Sequence, residues 1–255
     1  MSKRNTQQRR HIIISELNNH GEVSVDMLAK RFATSEVTIR KDLAALEKSG
    51  LLLRRYGGAI ALPKEIVESS SAQLSVQKAQ IGKAAAKLIK DHYRIVIDSG
   101  RTTSTVVNHL SDKKGLVVMT NSLKVAGQLN ELENEPTLLM TGGTWDPTSE
   151  SFQGQVAEQV LKSYDFDQLF IGADGIDIDR GTTTFNELVG LSKTMASVAR
   201  EVIVMVESEK IGRRIPNLEL DWQQINTLIT DEGLSVAVEQ ALTAKGVKVI
   251  CASNN

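Results

Sequence analysis

The densest run of groups able to hold an anion is Ser99-Gly100-Arg101-Thr102-Thr103, just after the apolar run Ile95–Ile97 and Asp98. Gly100 lets backbone N–H groups approach a ligand, Thr102 and Thr103 supply hydroxyls, and Arg101 offers a charged fork. A helix expected over 102–110 points its positive end at the same place. An ordinary capped strand-to-helix turn has the same composition, so this segment alone leaves both readings standing. Asp98, Asp174, Glu187 and Lys193 or Lys210 are the types needed for acid–base chemistry on a sugar. They are equally the types that hydrogen-bond sugar hydroxyls, and residue type does not separate the two. Other chemistries lack support. No GxGxxG follows a first strand, and neither GxxxxGK[ST] nor GxSxG occurs. The four histidines (His11, His20, His92, His109) are scattered. The single cysteine, Cys251, reads as buried packing and excludes an intramolecular disulfide framework or a cysteine-rich zinc site. No catalytic residue, metal or cofactor is expected.

The elements that must position these groups are legible as alternation. Apolar, β-branched runs occur at Ile95–Ile97, Val117–Met119, Thr137–Met140, Leu169–Ile171, Val202–Val206, Thr227–Ile229 and Val247–Cys251. Helical patterns at 102–110, 122–132, 154–163, 186–199 and 234–244 separate many of them. Near-continuous apolar strands between helices predict a mostly parallel α/β sheet covered on both faces. Small, hydroxylated and acidic groups follow the strands: Asp98-Ser99-Gly100, Thr120-Asn121-Ser122, Thr141-Gly142-Gly143, Gly172-Ala173-Asp174-Gly175, and Glu207 with Lys210. All would gather at the carboxyl edge, where open α/β sheets bind ligands.

The first 64 residues differ in kind. They hold 12 Lys/Arg against 6 Asp/Glu, while the remainder holds 18 against 25. A basic footprint of this sort points to nucleic acid. A first helix is expected over 6–19, with Ile12, Ile13 and Leu17 on its apolar side and Gly21 ending it. Ser24 caps a short second helix bearing Val25, Leu28, Ala29 and Phe32, and Ser35 caps a third from Glu36 to Ser49, ended by Gly50. The close spacing of the last two is that of a helix-turn-helix. Ile39, Leu43 and Leu46 face inward, so Glu36, Thr38, Arg40 and Lys41 point out near the helix N-terminus, where a recognition helix meets the major groove. Apolar runs around Gly57-Gly58 read as a hairpin wing with Arg54, Arg55 and Tyr56 just before its tip. The competing reading is a three-helix adaptor that binds protein. The Ser- and Gln-rich stretch 63–80 reads as a linker between a winged helix-turn-helix at 1–62 and an α/β domain at 81–255.

Glu36-Val37-Thr38-Ile39-Arg40-Lys41-Asp42-Leu43, with Arg9 upstream and Tyr56-Gly57-Gly58-Ala59 downstream, closely resembles the winged helix of DeoR-family bacterial repressors. That resemblance implies that Ser35, Thr38, Arg40 and Lys41 dock on double-stranded operator DNA. Asp42 is read as orienting a neighbouring Arg or Lys, because phosphates repel a carboxylate. The resemblance extends over nearly all of 75–253, through Asp98-Ser99-Gly100, Thr102-Thr103, Thr120-Asn121, Gly142-Gly143, Ser151-Phe152-Gln153-Gly154, Gly172-Ala173-Asp174-Gly175, Thr184-Phe185-Asn186-Glu187, Lys193 and Ser208-Glu209-Lys210-Ile211-Gly212. It implies a sensor domain similar in fold to ribose-5-phosphate isomerase and the coenzyme A transferases, with a phosphorylated sugar or sugar alcohol as effector. It further implies phosphate held near Gly100, Thr102 and Thr103, and Asp98, Asn121, Gly142, Asp174, Glu187 and Lys210 facing the sugar. The wording of Ser151–Gly154 and Thr183–Glu187 is most similar to the branch of sorbitol and galactosamine operon repressors. Two positions depart from the family pattern. Arg101 stands where Thr or Ser is usual, and Gly142-Gly143-Thr144-Trp145-Asp146 lacks the basic residue that normally ends this motif, a charge that Arg101 is placed to replace.

Overall composition limits the remaining classes. With 255 residues, a net charge of −1 and 41% apolar residues, the chain fits one large or two unequal globular domains, not a DNA-coating basic protein or an acidic tail. No window approaches a membrane span, and the N-terminus does not read as a signal peptide, so a cytoplasmic protein is expected. Symmetric operators predict a homo-oligomer, a dimer or tetramer. The rival to an effector-controlled repressor is a sugar-phosphate isomerase or transferase with a DNA-binding appendage.

Overall fold

A computed structural model describes residues 9–253, except 11, 14–15, 18–19, 49–51, 56, 61–75, 148, 185–188, 214 and 216. The chain forms two compact units, Met1–Gln73 and Leu74–Asn255. In the first, the described residues between 9 and 20 are helical. Strand β1 (Glu22–Ser24) leads straight into α1 (Val25–Arg31), where the Ser24 hydroxyl accepts the Met27 N–H at 3.1 Å as the N-cap. After Ser35, whose hydroxyl accepts the Thr38 N–H, α2 runs over Glu36–Lys48. Strands β2 (Leu53–Arg55) and β3 (Gly58–Ile60) form the wing. The sequence reading missed β1, which pairs with β3 and makes the wing a three-stranded antiparallel sheet in the order β1-β3-β2. This pairing needs a glycine at 58, since a Cβ there would lie 2.1 Å from the Val23 carbonyl oxygen. One core of Ile13, Leu17, Val23, Val25, Leu28, Ala29, Ile39, Leu43, Leu46, Leu52 and Ala59 holds the unit together.

All seven expected apolar runs become strands of one sheet in the second unit: β4 (Arg94–Ile97), β5 (Val117–Thr120), β6 (Thr137–Met140), β9 (Phe166–Ile171), β12 (Ala199–Met205), β14 (Thr227–Asp231) and β15 (Lys248–Ala252). The order is β15-β14-β12-β9-β4-β5-β6, and every pair is parallel. Alternate residues feed two cores. Val96, Leu169, Val202, Val204 and Leu228 face one, with residues of α5 (Gln155–Leu161), α6 (Gly190–Ser197) and α7 (Val236–Thr243). Ile95, Ile97, Phe170, Ile203, Met205 and Ile229 face the other, under α3 (Val76–Ala86), a 3-10 helix (Thr103–His109) and α4 (Leu123–Asn130). Each fully buried large apolar side chain contributes about 1.5–3 kcal/mol, which is why strands covered on both faces read as unbroken apolar runs.

Three expectations need correction. The stretch read as linker, 63–80, is already helical from Val76, because Ile81 and Ala85 are buried against the sheet. The helix expected over 102–110 is 3-10 in form. Here the Thr103, Ser104 and Thr105 hydroxyls bond back to the carbonyls of Gly100, Arg101 and Thr102, competing with the regular helical pattern. Cys251 is exposed, since β15 is an edge strand paired on one side only. The sequence also did not reveal two small antiparallel additions, β7 (Thr144–Asp146) with β8 (Ser151–Gln153), and a sheet of β10 (Gly175–Asp177), β11 (Gly181–Thr184) and β13 (Asn217–Asp221). No helix among the described residues is long and apolar enough to cross a membrane.

Candidate functional site

The basic unit presents α2 as its polar face. Ile39, Leu43 and Leu46 are buried, while Ser35, Glu36, Arg40 and Lys41 are exposed and Thr38 is half-buried. Each arginine of this face is held by a carboxylate: Arg40 by Glu36 at 2.6 Å, Arg54 by Glu47 at 2.6 Å, and Arg55 by Glu22. These are exposed pairs worth about 0–1 kcal/mol, so phosphates can displace the carboxylates at little cost. Lys41 has no ion-pair partner among the described residues. Tyr56 lies outside the described residues. Asp42 points inward, accepting from Arg9 Nε at 2.6 Å and Arg10 Nε at 2.9 Å, with a side chain 3% exposed. The carboxylate thus orients basic residues and clamps the first helical stretch to α2.

In the larger unit the strand order decides where a ligand can sit. From β4 the chain moves outward through β5 to β6, then returns to β9 beside β4 and builds the other half. The order reverses between β4 and β9, and ligands of doubly wound sheets bind in the crevice beyond the carboxyl ends at such a point. Asp98 follows β4 and Gly172-Ala173-Asp174 follows β9. Asn121, after β5, bridges the loops: its Nδ2 donates to Asp98 Oδ1 at 2.8 Å, and its Oδ1 accepts the Ser99 N–H at 2.8 Å. Lys210, in the 3-10 turn Ser208–Lys210, reaches over from the β12 side and donates to the Ala173 carbonyl at 3.1 Å. Asp174 accepts the Thr184 hydroxyl at 2.7 Å. Asp98, Asn121, Asp174 and Lys210 are therefore brought together from separate strands.

Other expected members stand differently. Thr103 is fully buried and its hydroxyl donates to the Asp98 and Gly100 carbonyls, at 2.8 and 3.1 Å. It holds the loop's shape and has no proton left for an anion, a correction to its reading as a phosphate ligand. Thr102 is also buried, and the Ser99 N–H is occupied by Asn121. Gly100 and Arg101 are exposed, and Arg101 has no side-chain partner among the described residues. Gly142 and Gly143 take positive φ of 61° and 107° after β6, and a Cβ on Gly143 would lie 2.5 Å from the Gln153 carbonyl oxygen. Their part is to turn the chain into the β7–β8 hairpin. Lys193 is an exposed residue of α6. Glu187 lies outside the described residues.

Sequence reasoning missed Glu219. It sits on β13, 9% exposed, accepting the Ser192 hydroxyl at 2.7 Å. Burial, with the negative charges of Asp98 and Asp174, raises its carboxyl to about 7. Burial and the Asp174 charge likewise raise Asp98 to about 6 against the pull of Asn121 and Ser99. Burial lowers the Lys210 ammonium, which Asp174 and Glu207 partly restore. Shifted groups that act on one another are concentrated at functional sites, and these lie together beyond the strand ends. A pH test follows for Glu219. Its folded form binds a proton more tightly than the unfolded chain, whose carboxyl titrates near 4.5, so its contribution is complete below about pH 4.5 and is lost as pH rises through about 7. Glu219→Gln is expected to remove this slope, and its melting temperature relative to the parent should rise between about pH 4.5 and 7 and level off above that. Parallel melting curves over that range would contradict the assignment.

A helix-turn-helix with a basic wing, followed by a doubly wound unit with a polar crevice at its switch point, is the build of an effector-controlled transcription regulator. Residues 9–65 match the DeoR-like helix-turn-helix domain and residues 74–232 the DeoR C terminal sensor domain. The chain belongs to the DeoR family, whose members are transcription regulators and not enzymes; its first unit binds DNA and its second senses a small effector. It is 40% identical over 252 residues to a candidate aga operon transcriptional repressor of Escherichia coli O157:H7, covering 96% of this chain and 93% of that one. It is 30% identical to the HTH-type transcriptional repressor GlcR of Bacillus subtilis, over 93% of each chain. A solved ribose 5-phosphate isomerase A of Methanocaldococcus jannaschii is 20% identical over 52% of this chain and 53% of its own, at TM-score 0.38, a likeness that says nothing of activity.

Proposed function

We propose that this regulator represses a carbohydrate utilisation operon and is released from its operator by a phosphorylated sugar or sugar alcohol. The observation that carries this reading is the convergence of Asp98, Asn121, Asp174 and Lys210 at the switch point of the sheet. Carboxylates and an amide suit sugar hydroxyls, and Lys210 with the exposed Arg101 suits a phosphate. The aga operon named for one relative makes amino-sugar phosphates a reasonable first set of effectors. Thr38, Arg40 and Lys41 meet base edges and phosphates, Glu36 holds Arg40 at the same face until DNA takes its place, Ser35 supports them at the helix start, and Arg54, Arg55 and Tyr56 follow the backbone. Two copies read a symmetric operator, which makes a dimer or tetramer the working form.

The test is operator binding followed by fluorescence anisotropy, with and without hexose, amino-sugar and hexitol 6-phosphates. Binding should weaken steeply with salt, in proportion to the phosphates contacted. At least one sugar phosphate should release the DNA and raise the melting temperature of the protein. Indifference to DNA at low salt, or to every sugar phosphate, would overturn the reading. Arg101→Ala is expected to weaken the releasing effector about tenfold, the equivalent of about 1.4 kcal/mol. Unchanged affinity in a thermal-shift titration would remove Arg101 from the site.

A further inference from the structure

The chain enters the sensor unit through α3, the first described element after residue 75. Three contacts tie this helix to the two walls of the crevice. Lys78 Nζ lies 3.5 Å from Glu207 Oε2, both side chains being 12% exposed. The Thr105 hydroxyl, on the segment that continues from Gly100 and Arg101, donates to the Lys78 carbonyl at 3.0 Å. Helix and segment approach so closely that a Cβ at Gly82 would lie 2.2 Å from Thr105 Oγ1. Glu207 in turn accepts the Lys210 N–H on its carbonyl at 2.9 Å, and the charges of Glu207 and Lys78 act on the Lys210 ammonium in opposite senses. The proposed effector contacts use neither Lys78 nor Glu207, although both are largely buried.

We propose that Lys78 is a positioning residue of the effector site: its pairing with Glu207 sets where Lys210 stands, and through that pair occupancy of the site is passed to α3. This rests on the reading that the crevice binds a sugar phosphate. An anion arriving beside Lys210 competes with Glu207 for its positive charge and leaves the Glu207 carboxylate more fully to Lys78. Any shift of the Gly100–Thr105 segment is felt by α3 at the same time, because Gly82 leaves no gap to absorb it. Coupling of this kind requires the effector to favour one arrangement of these contacts over the other.

The experiment compares full-length wild type, K78M, K78R and the double variant K78M/E207Q in operator binding. The probes are galactosamine 6-phosphate, glucose 6-phosphate and sorbitol 6-phosphate. In K78M and the double variant, the loss of operator affinity caused by the releasing compound should shrink at least tenfold. Operator affinity without it should stay within twofold of wild type, and K78R should retain release. The double variant leaves no lone carboxylate buried, so it carries the test if K78M fails to fold. Hydrogen exchange on wild type should slow at 98–105 and change at 76–86 with the same compound. Wild-type release by K78M/E207Q, or exchange changes confined to 98–105, would overturn the inference and leave the proposed function intact. If no sugar phosphate protects 98–105, the proposed function falls and this inference with it.

Discussion

Asp42→Ala is expected to abolish operator binding by unfolding the first unit, because the Asp42 side chain is buried and paired inside it. The carboxylate is buried in α2 and accepts from Arg9, itself 8% exposed, and from Arg10. Removing it leaves the Arg9 guanidinium buried without its counter-charge, a change that costs about 3–5 kcal/mol. A small unit with eleven buried apolar residues among those described has little stability to spare. Its loss should lower operator affinity by a hundredfold or more, while the sensor unit still melts cooperatively and still responds to effector. Glu36→Ala is the matching control. It removes a carboxylate from the same helix, but from an exposed i,i+4 pair with Arg40 worth about 0–1 kcal/mol. It should leave the unit folded, and by freeing Arg40 it should hold or improve operator affinity. Circular dichroism during thermal unfolding, read beside anisotropy on labelled operator, separates the two variants. Two folded variants of equal stability would refute the clamp.

What could be read from the sequence follows from what each element buries. The inner strands were visible because parallel strands covered on both faces carry unbroken apolar runs, as in Ile95–Ile97 or Val202–Met205. The recognition helix was visible because Ile39, Leu43 and Leu46 recur at helical spacing. The small sheet of β10, β11 and β13 was not. Its strand Gly181–Thr184 is buried yet composed of glycine and threonine, and β13 inverts the usual order, with Leu218 exposed and Glu219 buried. The hydroxyls of Ser192 and Thr182, distant in sequence, help make that inversion tolerable. In the crevice, strand ends announced Asp98, Asn121 and Asp174. No local pattern could say that the Thr103 hydroxyl turns back onto its own loop, since bonding an anion and bonding a carbonyl require the same side chain.

Lys210→Met carries the second large expectation. The ammonium donates to the Ala173 carbonyl beside Asp174, and among the groups that act on it Lys78 and Arg213 are cations held by Glu207 and Glu209. Lys210 is thus the cation best placed to meet an anionic effector at the strand ends. Methionine keeps the length and apolar stem, so the packing of the 3-10 turn survives. That turn is also anchored from the far side, where Asp231 accepts the Ser208 N–H at 2.8 Å and the Ser208 hydroxyl at 2.5 Å. Hydrogen bonds from Ser208 and Gly233 hold the Asp231 carboxyl below its ordinary range despite burial, so the anchor stays charged at neutral pH. What Lys210→Met removes is therefore the charge. Truncating one partner of a buried, hydrogen-bonded charge pair costs about 2–5 kcal/mol, so the effector should bind roughly thirtyfold to several thousandfold more weakly. Because a ligand shifts an equilibrium only through its differential affinity, release of operator should fail at effector concentrations that empty the wild type. Calorimetric titration with the sugar phosphate that releases wild type measures the first effect, and anisotropy with operator the second. Lys210→Arg keeps a cation and should retain part of both. Effector affinity in Lys210→Met within threefold of wild type would place the anion elsewhere, with Arg101 the first residue to examine.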